Sequence, residues 1–164
     1  MKHRNQRIFA GILAITIVGF LIIAFILPFS YDRQNPPVVQ EPSWDSPQTL
    51  RLAKRACFDC HSNETVWPWY SYLFPMATLI QRDVDKGREA LNFSEWGAGR
   101  FEQAETETIV ETISKNQMPL PYYIILHPEA DLSDVEKGQL INGLITTMSP
   151  DKNLEADELD QPEK

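Results

Sequence analysis

The sequence predicts an all-α chain, with one apolar helix at the N-terminus and a small helical domain after it. Three observations carry that reading. Ile8 to Leu27 is an unbroken apolar run in which Thr16 is the one polar side chain. Further on, apolar residues recur at helical spacing, as in Ile141, Leu144, Ile145 and Met148 at i, i+3, i+4 and i+7. No stretch shows the sustained alternation of a half-buried strand, and there is no internal repeat.

The apolar run is long enough, at about 1.5 Å per residue, to cross a hydrocarbon core of roughly 30 Å. Lys2, Arg4 and Arg7 precede it and no acidic residue does. That charge bias predicts a cytoplasmic segment 1–7, a transmembrane anchor over 8–29 in the inner cell membrane, and export of the rest to the periplasmic side. A cleaved signal peptide is the competing reading. Its apolar core is usually about 7–15 residues and ends at a small-residue site, which Leu27-Pro28-Phe29-Ser30-Tyr31 does not offer. The uncleaved anchor is preferred, and both readings export the domain.

Residues 30–46 read as a linker, with Pro36, Pro37 and Pro42 among polar residues. Proline favours an extended chain of about 3.1 Å per residue, although Val38, Val39 and Trp44 could dock on the domain. The domain itself is expected over 47–148. Ser46 with Pro47 is a helix start, and the helix it opens should run directly into Cys57. A second helix is expected from Pro75 to about Leu91. A third should run from about Arg100 to Lys115, ending at Asn116-Gln117, with Gly97 and Gly99 breaking the chain before it. Met118 to Pro128 reads as a non-helical loop. Ser133-Asp134-Val135-Glu136 then matches a capping box for the last helix. Residues 149–164, with six acids and two lysines, read as a disordered acidic tail.

Twelve basic residues stand against 23 acidic ones after the apolar run. Phosphate binding needs a basic surface, so nucleic acid is excluded as a partner. No Ser/His/Asp set and no phosphate-cradling glycine loop is present, which argues against an enzyme of those kinds.

Chemistry concentrates in Cys57-Phe58-Asp59-Cys60-His61, which holds both cysteines of the chain. Two thiols at C-x-x-C spacing can form thioethers to the two vinyl groups of one haem, and the adjacent imidazole can then ligate the iron. A disulfide is the first alternative, but thioredoxin-like C-x-x-C motifs follow a strand, and here a predicted helix precedes the motif. A structural zinc needs four ligands; Cys57, Cys60 and His61 supply three, and His127 is the one histidine left beyond the apolar run. Coincidence is the third alternative. For the sixth iron ligand, Met118 is preferred because it lies in a loop before the last helix and is followed by Pro119. His127 is the alternative, and an open iron the remaining one. Met76 and Met148 read as packing residues. Trp67, Trp69, Tyr70, Tyr72, Phe74, Phe93 and Trp96 read mainly as core, with some walling the haem. Arg82, Arg88 and Arg100 are candidate propionate partners.

With these residues placed, the domain resembles the bacterial haem-binding domain family related to cytochrome c. The likeness rests on Cys57–Thr65 with Trp67-Pro68-Trp69-Tyr70, then Asp83-Val84, Gly87-Arg88 and Leu91–Trp96. It continues in Met118-Pro119-Leu120, Tyr123, His127-Pro128, Ala130 and Leu132-Ser133. In the last helix, where relatives often carry tryptophan, this chain has Asn142-Gly143. The resemblance implies a small cytochrome-c-like helical fold and one covalent haem c at Cys57 and Cys60, with His61 as proximal ligand. Met118 and His127 both match recurrent family positions, so it does not choose between them.

The expected function is that of a membrane-anchored monohaem c-type cytochrome passing one electron between extracytoplasmic proteins. The acidic domain favours a redox partner with a basic docking face. The alternatives are a haem sensor or peroxide-reactive protein with a labile sixth ligand, and a thiol–disulfide oxidoreductase.

Overall fold

The computed structural model describes residues 2–26, 31–96 and 106–148. Every regular element among them is helical, and the one extended pairing is an isolated bridge between Gln40 and Glu95. Helix α1, Lys2–Ile26, is apolar on all sides along its central stretch. Within it, Arg4–Ala24 is long and apolar enough to cross a membrane, and no part of that stretch is buried. A helix hydrophobic all round needs an apolar surrounding. Thr16 hides its hydroxyl by donating to the Ile12 carbonyl one turn back.

The chain divides into two compact units, Met1–Gln34 with Trp67–Asp83, and Asn35–Val66 with Val84–Lys164. In the first, Trp69–Tyr72 forms a 3-10 turn and leads to helix α4, Met76–Ala90, whose last turns belong to the second unit.

The second unit opens with backbone laid onto its own surface. Val39 and Gln40 donate to the Ser94 carbonyl, and the Trp96 N–H donates to Gln40. Residues 35–46 are thus held against the domain rather than extended as a spacer. Helix α2, Pro47–Ala56, starts where Ser46 Oγ accepts the Thr49 N–H, with Pro47 at the first helical position, where its missing N–H costs nothing. It feeds the single turn of α3, Phe58–His61. Leu52, Ala53 and Phe58 bury themselves with Leu91, Phe93, Ile113, Leu140 and Leu144. Phe58 and Phe93 stack at 5.5 Å, with Trp44 and Trp96 continuing the aromatic cluster at 5.2 and 6.2 Å from Phe93. Trp44 therefore docks on the domain.

Helix α5 covers Thr106–Ser114; the expected start near Arg100, with Phe101 and Ala104, and the breakers Gly97 and Gly99 lie outside the described residues. So do the boundary at 27–30 and the acidic segment 149–164. The expected loop from Met118 to Pro128 is corrected by a short helix, α6, Pro121–Leu126. Pro121 sits at its first position, so a proline that reads as a breaker is here an initiator. Helix α7, Asp134–Thr147, begins in the predicted capping box, with Ser133 and Glu136 exchanging both bonds. It packs on α2 and α5. Gly143 is what lets it reach α2: a Cβ there would collide with the Thr49 side chain, so Asn142-Gly143 is a contact point between helices.

Candidate functional site

The C-x-x-C-H segment is shaped by the junction of α2 and α3. Cys57 ends α2, its N–H donating to Ala53 O at 2.8 Å, and its φ of −126° turns the chain out of the helix. Its own carbonyl then accepts from the N–H groups of Cys60 and His61, at 3.2 and 2.9 Å. One turn thus gathers positions i, i+3 and i+4 on one side. The two thiols are not joined in a disulfide. Behind them, α4 approaches so closely at Gly87 that a Cβ would collide with the Cys60 carbonyl oxygen.

Beside this turn lies a cavity of about 430 Å³, lined by Cys57, His61, Leu91, Phe93, Ile109 and Met118 among others. That volume is in the usual range for a cofactor or small-molecule site, roughly 300–1,000 Å³. His61 Nδ1 lies 3.1 Å from the Leu91 carbonyl. A carbonyl can only accept, so Nδ1 carries the proton and Nε2 keeps its lone pair, as in many metal-ligating histidines. Desolvation lowers the His61 pKa, against the opposing pull of the Leu91 and Gly87 carbonyls. Desolvation also pushes the Cys57 thiol up to about 12, with Cys60 adding to the rise.

Met118 reaches the cavity through the end of α5. Asn116 adopts the left-handed conformation, φ 55°. Gln117 N–H returns to Thr112 O and Asn116 N–H to Ile113 O, the paired bonds of a Schellman cap. Met118 N–H also reaches Thr112 O, at 3.2 Å. The sequence marks this turn by Asn116, since asparagine tolerates the left-handed region better than most residues. His127 is placed differently. Its ring stacks on Tyr123 at 4.2 Å, its Nδ1 meets Glu129 Oε1 at 3.0 Å, and it is not among the cavity-lining residues.

The other candidates divide. Of the seven aromatics read as core or haem wall, Phe93 lines the cavity, whereas Trp69 is 75% exposed and Tyr72 51%. Arg82 pairs with Asp83, and Arg88 donates to Ser62 O, Asn35 Oδ1 and Thr65 Oγ1; neither lines the cavity. Arg100 lies outside the described residues. Sequence reasoning missed why Ser62, Asn63, Asn92 and Ser94 recur in the motifs. All four are buried. Asn92 Nδ2 donates to Asn63 Oδ1, Asn63 N–H donates to Ser94 Oγ, and Ser94 N–H donates to Asn92 Oδ1. Short polar residues set among buried aromatics were the available signal. The network ties the chain after His61 to the segment after α4, and the Phe93 N–H completes the tie by donating to His61 O at 2.8 Å.

The donor set fits haem. An apolar cavity is lined by His61, whose Nδ1 is already engaged, by Met118 from another part of the chain, and by Cys57 on the histidine's own turn, while Cys60 of that turn is not among the lining residues. No curated protein and no solved structure matches the chain. A family model described as haem-binding domain matches residues 18–146, most of the chain, and the protein belongs to that haem-binding family.

Proposed function

We propose that the protein is a membrane-anchored monohaem c-type cytochrome that carries one electron between extracytoplasmic partners. One observation carries this reading: Cys57, His61 and Met118, from two separate parts of the chain, line one apolar cavity. In the proposal Cys57 and Cys60 hold haem c through thioethers, His61 is the proximal ligand through Nε2, and Met118 is the sixth ligand. Bound haem would supply a one-electron iron couple, whose potential a methionine ligand raises. The chain's own part is to fix the imidazole through Leu91, present the sulfur from the Asn116 turn, and exclude water with Phe93 and Ile109. Met118 is favoured over His127 because His127 faces Glu129 and Tyr123.

The anchor reading draws support from Arg4–Ala24, which is long and apolar enough to cross a membrane. The basic residues before the span support an extracytoplasmic domain.

The test is production of the full chain together with the cytochrome c maturation machinery. Haem that stays on the polypeptide in a denaturing gel is expected, together with a reduced spectrum unaltered by carbon monoxide. The variant Met118→Ala should bind carbon monoxide, whereas His127→Ala should not. Absence of covalent haem sinks the cytochrome reading. Carbon monoxide binding by the unmodified protein would favour a sensor with a labile sixth ligand.

A further inference from the structure

The first unit holds an apolar segment that the haem site does not use. From Trp67 to Gln81 the chain has no charged side chain, and its first eight residues include five aromatics. They are not a core: Trp69 is 75% exposed, Tyr72 51%, Leu73 50% and Phe74 37%. Such a patch on an otherwise acidic protein marks a contact surface. Its place in the unit says what covers it. Just beyond α1, Arg33 donates to Ser71 O through Nη2 at 2.5 Å and Nε at 3.1 Å, and its guanidinium sits 4.4 Å from the Tyr72 ring centroid. Tyr31 Oη meets Thr78 Oγ1 at 3.0 Å. The Phe74 ring meets Phe20 edge-to-face at 6.1 Å. Phe20 lies within the Arg4–Ala24 span, four residues before its end, or about 6 Å along the axis.

We propose that Trp67–Phe74 is a second membrane-contacting element, seated in the lipid interface of the leaflet from which α1 emerges. The inference rests on the reading of α1 as an uncleaved anchor. With α1 in the bilayer, its contact with Phe20 carries Phe74 to the edge of the hydrocarbon. Trp69 and Tyr72 then stand where amphipathic rings are enriched, apolar body toward the acyl chains and polar tip toward water. A protein partner would have to enter that same lipid-adjacent position, so a phosphatidylcholine surface is the occupant. The segment would act as a foot that restrains the exported chain beside its anchor.

The experiment uses the full haem-loaded chain in phosphatidylcholine vesicles doped with a phospholipid bearing a diazirine high on one acyl chain. After irradiation, lipid adducts are mapped by peptide mass spectrometry. Adducts are expected on both α1 and Trp67–Phe74. In the double variant W69S/F74S most adducts on the segment should be lost while those on α1 persist. Adducts on α1 alone would overturn the inference and leave the anchor standing. Adducts on neither would overturn the anchor reading and the inference with it. Adducts on the segment that persist undiminished in the double variant would overturn the role given to these two rings.

Discussion

At the scale of single residues, the C-x-x-C-H turn is supported by side chains that do not line the cavity. Asn63 is the clearest case. Its amide donates to Pro37 O and Glu95 Oε1 while its Oδ1 accepts from Asn92, so one side chain ties together three segments. Replacing it with alanine strands the buried Asn92 amide and removes two part-buried bonds. A stranded buried group costs about 1–3 kcal/mol and each further lost bond about 0.5–1.5 kcal/mol, so Asn63→Ala should lower stability by roughly 2–4 kcal/mol in denaturant titrations of the haem-loaded protein. Gly87 is supportive in a different way. There α4 touches the Cys60 carbonyl, and a methyl group has no room. Overpacking against backbone typically costs 1–3 kcal/mol; Gly87→Ala should sit near about 3 kcal/mol and reduce the haem stoichiometry read by pyridine haemochrome. Cys57, Cys60 and His61 stand out in the sequence because the chemistry proposed for them is tied to fixed spacing. Asn63 and Gly87 were legible only as family positions, since their reasons are contacts with residues 29 and 27 positions away in sequence.

At the scale of elements, helix ends decide where the proposed ligands lie. The Schellman turn at Asn116 presents Met118, and Asn116 is also held by Lys137 Nζ, 2.7 Å from its Oδ1. A left-handed conformation costs an ordinary L-residue about 1–2 kcal/mol and glycine nothing. Asn116→Ala should therefore loosen the turn and admit carbon monoxide to the reduced haem, while Asn116→Gly should keep the spectrum of the parent. A purely structural loss would lower the melting temperature in both without separating them spectroscopically. The capping box of α7 makes a pH prediction. The Ser133 backbone N–H and hydroxyl, with the Arg55 guanidinium, hold Glu136 down at about 2. A carboxylate held below its ordinary range, near 4.5, contributes stability that is complete above that value and is lost as pH falls through the folded-state pKa. Thermal stability should thus fall from about pH 4.5 toward pH 2, and Glu136→Gln should flatten that part of the profile. This box was readable from four letters, because capping is local. Helix α6 was not: Pro119 and Pro121 carry the same local signal, and only the surrounding chain decides which one starts a helix.

At the scale of the whole molecule, charge is the property that the sequence states most directly and the fold least alters. Beyond the apolar run 23 acidic residues outnumber twelve basic ones. An electron carrier with that balance should meet a basic partner by electrostatic steering, which raises association rates at low salt and is screened over about 10 Å at 0.1 M. Residues 149–164 contribute six of the acids and two lysines, a net −4 concentrated in one short stretch. Ending the chain at Met148 should leave the haem spectrum unchanged, because no described cavity residue lies beyond Leu144. It should also weaken the dependence of electron transfer on ionic strength. The measurement is stopped-flow oxidation of the reduced protein by a cationic redox protein across a salt series, for the full and shortened chains. Rates should fall steeply with salt for the full chain and less steeply for the shortened one. Parallel slopes would mean that the docking charge lies before residue 149, where Glu64 and Glu89 are already in ion pairs. A rate independent of salt in both chains would remove the basic partner from the proposal while leaving the haem site untouched.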